Sequence, residues 1–152
     1  MEALYRYAIA AGWNLKGAPG PTDAPIGAVF SGASGASIKV GPIQYPTTSG
    51  EFVEADDRDP LLGNMAFWVF SYWGGKGQPF ASRDAHTPGD GTPWQDLLLP
   101  GWNLFSPPYS VTVPPCEEII VVWRWDPAAR AYRVVRPGST MKPLEGYWVF
   151  RL

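Results

Sequence analysis

Uninterrupted stretches are what this chain has least of. It holds 17 glycines and 17 prolines in 152 residues, and the longest runs free of both, Met1–Ala11 and Cys116–Asp126, are eleven residues each. Helix bundles need longer periodic segments, because proline removes a backbone donor and short helices do not stand alone. That argues against the class. Cysteine and histidine occur once each. A lone Cys116 forms no internal disulfide and leaves the redox compartment open. His86 sits beside Asp84 and Thr87 without a second imidazole, so it reads as a surface-loop histidine rather than a ligand or an acid–base group. Charged residues make up only 17% and the net charge is −2. That balance argues against a nucleic-acid binder relying on phosphate neutralisation. No apolar run reaches the ~18 residues of a membrane span, and Met1–Arg6 shows no basic-then-apolar leader pattern.

What is present is aromatic. Eight Trp, seven Tyr and seven Phe supply burial that a disordered chain lacks. A chain of this length buries roughly 70% of its unfolded surface, so residues 1–152 are expected to form a single compact unit.

The sequence also repeats itself. Gly12-Trp13-Asn14-Leu15 recurs as Gly101-Trp102-Asn103-Leu104, an offset of 89, and Phe67-Trp68-Val69-Phe70 recurs as Tyr147-Trp148-Val149-Phe150, an offset of 80. At the same offset of 80, Phe52 falls on Tyr132 and Tyr45 on Trp125. The nine-residue difference is assigned to a small-residue insertion around Ser31–Ser37. Repeat one then covers about 1–72, repeat two about 95–152, and residues 73–94 join them. In repeat two, Trp102–Phe105, Tyr109–Val113, Ile119–Trp125, Ala131–Val135 and Tyr147–Leu152 read as strands, with a hairpin turn over Asp126–Arg130. Repeat one gives Ile38–Val40, Ile43–Tyr45, Phe52–Ala55 and Met65–Tyr72. Leu4–Ile9 fits a strand or a short helix. The expected fold is all-β: a β-sandwich or closed barrel built from two pseudo-symmetric repeats.

The Gly-Trp-Asn-Leu start, the Trp123-Arg124-Trp125-Asp126-Pro127 hairpin and the Pro143-Leu144-Glu145-Gly146-Tyr147-Trp148-Val149 end resemble a β-rich repeat of bacterial secreted and cell-surface proteins. Pro100–Phe150 follows that pattern throughout. Repeat one keeps its two ends, lacks the Trp-Asp-Pro, and has Ala66 where repeat two has Gly146. The resemblance implies an all-β accessory or surface module and no specific activity. Its members usually carry a leader.

Chemistry-bearing patterns are scarce. There is no Gly-x-Ser-x-Gly, phosphate loop or zinc spacing, so no catalytic residue, metal ligand or cofactor is assigned. Cys116 reads as a half-buried thiol. Glu51, Glu54, Asp56, Asp57 and Asp59 form an acidic stretch, read first as a solvated loop and second as a calcium loop. The corresponding hairpin of repeat two carries Arg130, Arg133, Arg136 and Lys142, and opposite charge at matching places suggests self-association through these residues. Trp13, Trp68, Trp102 and Trp148 are expected in the cores. Trp73, Trp94, Trp123 and Trp125 are the candidate exposed aromatics for a sugar or a protein partner.

The expectation is a non-catalytic structural or interaction protein in a surface assembly. That means a virion exterior, such as a decoration or tail protein, or a cell-surface layer. A chain starting at Met1 without a leader suits a particle assembled inside the cell. The alternatives are a carbohydrate-binding or adhesion module and, remotely, a glycan-active hydrolase. Protein partners are expected, carbohydrate is possible, and neither nucleic acid nor membrane insertion is.

Overall fold

Short strands follow from short runs between turn residues. The computed structural model describes residues 4–30, 40–46, 51–56, 58–82, 93–115 and 118–152, with backbone only for 40–46 and Ile120. In chain order the strands are β1 (Leu4–Tyr5), β2 (Ala8–Ile9), β3 (Gly12–Gly17), β4 (Val40–Pro46), β5 (Phe52–Glu54), β6 (Ala66–Ser71), β7 (Gly75–Lys76), β8 (Phe80–Ala81), β9 (Gly101–Phe105), β10 (Val111–Thr112), β11 (Ile119–Asp126), β12 (Ala131–Val134), β13 (Thr140–Met141) and β14 (Tyr147–Arg151). One helical turn, α1 (Ile26–Val29), and a 3-10 turn, Trp94–Leu97, complete the set. Both turns follow a proline in extended conformation, which fits proline's fixed φ ahead of a helical start. Leu4–Ile9 is extended, in two pieces.

Two four-stranded antiparallel sheets dominate, ordered β3-β6-β4-β5 and β12-β11-β14-β9, with three two-stranded pairings beside them. In the first sheet Trp13 lies opposite Phe70 and Leu15 opposite Trp68. In the second, Trp102 lies opposite Phe150 and Leu104 opposite Trp148. The third strand of each sheet has a register shift near its start, between Val40 and Ile43 and between Ile119 and Val121. Among the described residues no sheet closes on itself, so the expected closed barrel is not formed. Four strands are too few: filling a closed barrel takes about eight, and β5, β3, β12 and β9 remain edges.

Each sheet has its own core. Phe67 and Val69 point into one with Tyr7, Phe30 and Phe80; Tyr147 and Val149 point into the other with Phe105 and Met141. Strand alternation puts Trp68, Phe70, Trp148 and Phe150 on the opposite faces. A third, smaller cluster of Leu15, Ala66 and Leu104 lies between the sheets, covered by Trp68, Trp125 and Trp148.

The sheets are tied where β3 and β9 meet the loops that precede β14 and β6. Lys16 bridges Glu145 and Met65 bridges Phe105. Gly17 N–H donates to the Leu144 carbonyl at 2.9 Å, and Ser106 N–H donates to the Asn64 carbonyl at 3.3 Å. Asn64 and Leu144 both have positive φ, 58° and 73°, a conformation asparagine tolerates and leucine rarely adopts. Lys16 Nζ also meets Glu145 Oε1 at 2.8 Å.

Candidate functional site

The Gly-Trp-Asn-Leu segments position the aromatic surface. Gly12 and Gly101 share φ +93°, a region an L side chain enters only with strain. After that bend the asparagine amide closes a local loop. Asn14 Oδ1 accepts from Ala10 N–H at 3.0 Å, and its Nδ2 donates to the Ala10 and Gly12 carbonyls at 2.9 and 3.0 Å. Asn103 does the same with Leu99 and Gly101, at 2.9, 2.8 and 3.1 Å. Because the asparagine faces its own loop, the preceding tryptophan faces the other way.

Trp13 is therefore 40% exposed and Trp102 53%, which corrects the core placement expected for both. Trp68 and Trp148 are half-buried on the same outer faces. Each pairs edge-on with its motif tryptophan: Trp13 with Trp68 at 6.3 Å and 89°, Trp102 with Trp148 at 6.2 Å and 88°.

On the second sheet these rings form an open trough of about 430 Å³ lined by Trp102, Trp123, Tyr132 and Trp148. Trp123 lies directly opposite Trp148 across the β11–β14 ladder. Trp148 Nε1 donates to the Tyr132 hydroxyl at 3.2 Å, which fixes two walls. The indole N–H groups of Trp102 and Trp123 have no partner among the described residues.

The first sheet carries a related trough lined by Trp13, Phe52, Trp68, Trp125 and Tyr132. Here Trp125, arriving from β11 of the second sheet, packs edge-on against Trp68 at 5.3 Å and 82°. Its Nε1 donates to the Trp13 carbonyl at 2.9 Å. One wall of this trough is thus supplied by the neighbouring sheet, and the trough stays open beside it.

The other candidates are spread more widely. Trp73 is 70% exposed, next to exposed Tyr72 and the turn glycine Gly74. Trp94 is only 7% exposed and stacks on Phe105 at 6.0 Å and 27°, so its ring serves the second core. The 3-10 turn that holds it inward, Trp94–Leu97, starts at the last residue of the expected joining segment 73–94, where composition alone signalled a loop.

Glu51, Glu54, Asp56 and Asp59 are exposed around β5. Asp56 Oδ1 accepts from Arg58 N–H at 2.8 Å, and Asp59 Oδ2 from Asp56 N–H at 3.1 Å, so both shape their own loop. Arg130, Arg133 and Arg136 are exposed around β12, with Arg133 Nε 3.4 Å from Asp126 Oδ2. Asp57, His86, Cys116, the insertion around 31–37 and the side chain of Tyr45 lie outside what the structure describes.

Asp126 shapes the β11–β12 turn. Its Oδ1 accepts from Ala128 and Ala129 N–H, both at 3.1 Å. These bonds, the Ala129 one foremost, hold its carboxyl below the ordinary aspartate range, with Arg133 adding to the effect. Burial pushes the Tyr147 phenol up, although its oxygen accepts from Lys142 N–H at 2.9 Å. Both groups build structure and neither lines the trough.

Among the described residues no group of His, Cys, Asp and Glu is placed to hold a metal ion, and no helix is long and apolar enough to cross a membrane. Fold and site together define a mostly-β protein with several small antiparallel sheets and an aromatic-lined open trough. No protein-family model, curated protein or solved structure matches the chain.

Proposed function

We propose that this chain is a non-catalytic structural or interaction protein, made of two fused half-sized β units, that forms part of a larger surface assembly such as a virion exterior or a cell-surface layer. The observation that carries the reading is the open trough of Trp102, Trp123, Tyr132 and Trp148. Aromatic residues in a pre-shaped, water-accessible groove are typical anchors of protein contacts. Beside the trough over Trp13 and Trp68, an indole from the neighbouring sheet packs on Trp68 with its N–H on the Trp13 carbonyl, which supports the reading of these rings as contact anchors. Fusion of two units is supported by the matching strand orders, the matching asparagine loops and the paired ties at Gly17 and Ser106.

The test is rebinding. Particles or envelopes from the native source are stripped of the chain and offered purified protein. Wild type is expected to return and to label the exterior in a periodic array. The double variant Trp102→Ala, Trp123→Ala, folded by circular dichroism, is expected to return at least about tenfold more weakly. Recovery of the native chain only as a free monomer overturns the proposal.

A second reading is carbohydrate binding, favoured by the two free indole N–H groups beside open ring faces. Among the described residues no carboxylate or amide lines the trough to take up sugar hydroxyls. Binding on a glycan array that both Trp→Ala changes abolish would favour this reading over the first.

A further inference from the structure

We infer that the two exposed edge strands of this protein pair with each other between copies, β5 of one chain adding antiparallel to β12 of the next, in a register that matches acid to base. The inference rests on the assembly reading above and specifies its contact.

β5 ends the first sheet and β12 ends the second, and neither outer edge is paired among the described residues. An unpaired edge offers a row of backbone donors and acceptors to any strand that can approach. All of β5 and all of β12 except half-buried Ala131 are exposed, including Phe52 and Val53 on one and Tyr132 and Val134 on the other. These are large apolar side chains left in water at a pairing edge.

Charge decides which edges meet. Glu51 and Glu54 bracket Phe52-Val53, while Arg133 and Arg136 bracket Val134-Val135. Laid antiparallel with Val53 opposite Val134, Glu54 falls opposite Arg133; past the end of β12, Glu51 falls opposite Arg136, and Phe52 comes opposite Val135, whose side chain is buried in the second core. Each opposed pair then joins apolar to apolar or acid to base, as cross-strand pairs prefer.

Two β5 edges repel, and so do two β12 edges, so edge-to-edge pairing of like strands is blocked while the unlike pair attracts. Within one chain Arg133 sits opposite Arg124 across the hairpin, a like-charge pair that an incoming Glu54 relieves. Arg133 spends only its Nε on Asp126, which leaves the outer nitrogens of the fork for a second carboxylate. Glu51, Glu54 and Arg136 have no ion-pair partner among the described residues.

Because the contact joins two different edges it is heterologous, and it propagates into a ring or a filament. Strands of three and four residues make a small contact, weak singly and strengthened by repetition in an array.

Sedimentation velocity on the full chain tests this. Wild type is expected to associate at roughly 100 µM in low salt and to dissociate as salt rises to about 0.5 M. Glu51→Lys with Glu54→Lys in one variant, and Arg133→Glu with Arg136→Glu in another, are each expected to sediment as monomers. An equimolar mixture of the two is expected to co-assemble, because every edge again meets its opposite charge. Register is read by oxidation in a Cys116→Ser background: Val53→Cys with Val134→Cys yields disulfide-linked ladders, and Val53→Cys with Tyr132→Cys does not.

A mixture that stays monomeric overturns the inference, as does a ladder from the wrong cysteine pair. Wild type that is monomeric at every salt but still labels native particles periodically would overturn edge pairing alone, leaving the assembly proposal standing.

Discussion

Gly17→Ala is expected to damage the protein through a single methyl group. An added Cβ at position 17 would fall well inside van der Waals contact of Ser106 Cβ, 2.8 Å from its Oγ and 3.2 Å from the Met65 carbonyl oxygen. Backbone conformation is no obstacle, so crowding is the whole effect. Relief requires the two segments to part, and they are held by the Gly17–Leu144 and Ser106–Asn64 hydrogen bonds. Overpacking costs about 1–3 kcal/mol and each stretched buried bond about 1 kcal/mol, giving about 3–5 kcal/mol in all. For a chain of this length that lowers Tm by ~10 °C or more. Ser106→Gly alone removes a buried hydroxyl that has no hydrogen-bond partner, against a backbone entropy cost of about 1 kcal/mol, so it is expected to be mild. The double variant should regain most of the loss, with a coupling energy of ~2 kcal/mol or more. Thermal and urea unfolding of the four proteins measure the cycle. An unchanged Tm for Gly17→Ala, or a double variant no better than the single, would refute the placement of these segments.

Asn14→Ala is expected to cost about 2–3 kcal/mol and Asn103→Ala about 1 kcal/mol by urea unfolding, because Asn14 is buried and strands its loop's peptide groups away from water while Asn103 is more open. Equal losses would count against the local loop as the motif's role. For Asp126 the folded carboxyl titrates below the ordinary value of 3.8, so ionisation favours the folded hairpin. That contribution is complete above the unfolded-state pKa and disappears as pH falls through the folded one. Carboxyl chemical shifts should place the Asp126 midpoint below 3.8, and Asp126→Asn should flatten the acid-side change in hairpin stability. A midpoint at or above 3.8 would remove the turn hydrogen bonds as its cause.

The strands were legible because turn residues bracket them. The expected Ile119–Trp125 and Ala131–Val135 became Ile119–Asp126 and Ala131–Val134. Of the expected pieces Ile38–Val40 and Ile43–Tyr45, Ile38 and Lys39 lie outside the described residues, and the rest falls in one bulged strand, Val40–Pro46, because Pro42 reads as a break in sequence but a bulge accommodates it in a ladder. The tryptophans were misplaced for a physical reason. Alternation fixes that Trp13 and Leu15 share a face, but not that the inward place at position 14 belongs to an amide. Two signals could have corrected this: asparagine two residues after a glycine, the residue that takes positive φ without strain, and the polar residue's alternation with the indole. The trough itself was half visible, since Trp123 was singled out, whereas Trp102, Trp148 and Tyr132 join it only through strand pairing across the sheet.

The difference between Ala66 and Gly146, which stand at matching places 80 residues apart in the sequence, has a steric origin in the seam between the sheets. A Cβ added at Gly146 would lie 2.9 Å from Ala66 Cβ, 2.7 Å from Leu15 Cγ and 3.0 Å from the Lys16 carbonyl oxygen. The seam therefore has room for one methyl group, not two, and a perfectly symmetric pair of alanines cannot pack there. Leu15 Cγ and the Lys16 carbonyl crowd position 146 as well, so the methyl group sits at 66 and glycine at 146. The same seam holds Leu15, Ala66 and Leu104 under Trp125, the residue that supplies one wall of the first trough. Asymmetry forced at the centre of the molecule thus accompanies asymmetry at its surface. The acidic edge lies on one sheet and the basic edge on the other, so unlike edges are available for a directional contact that two identical halves could not make.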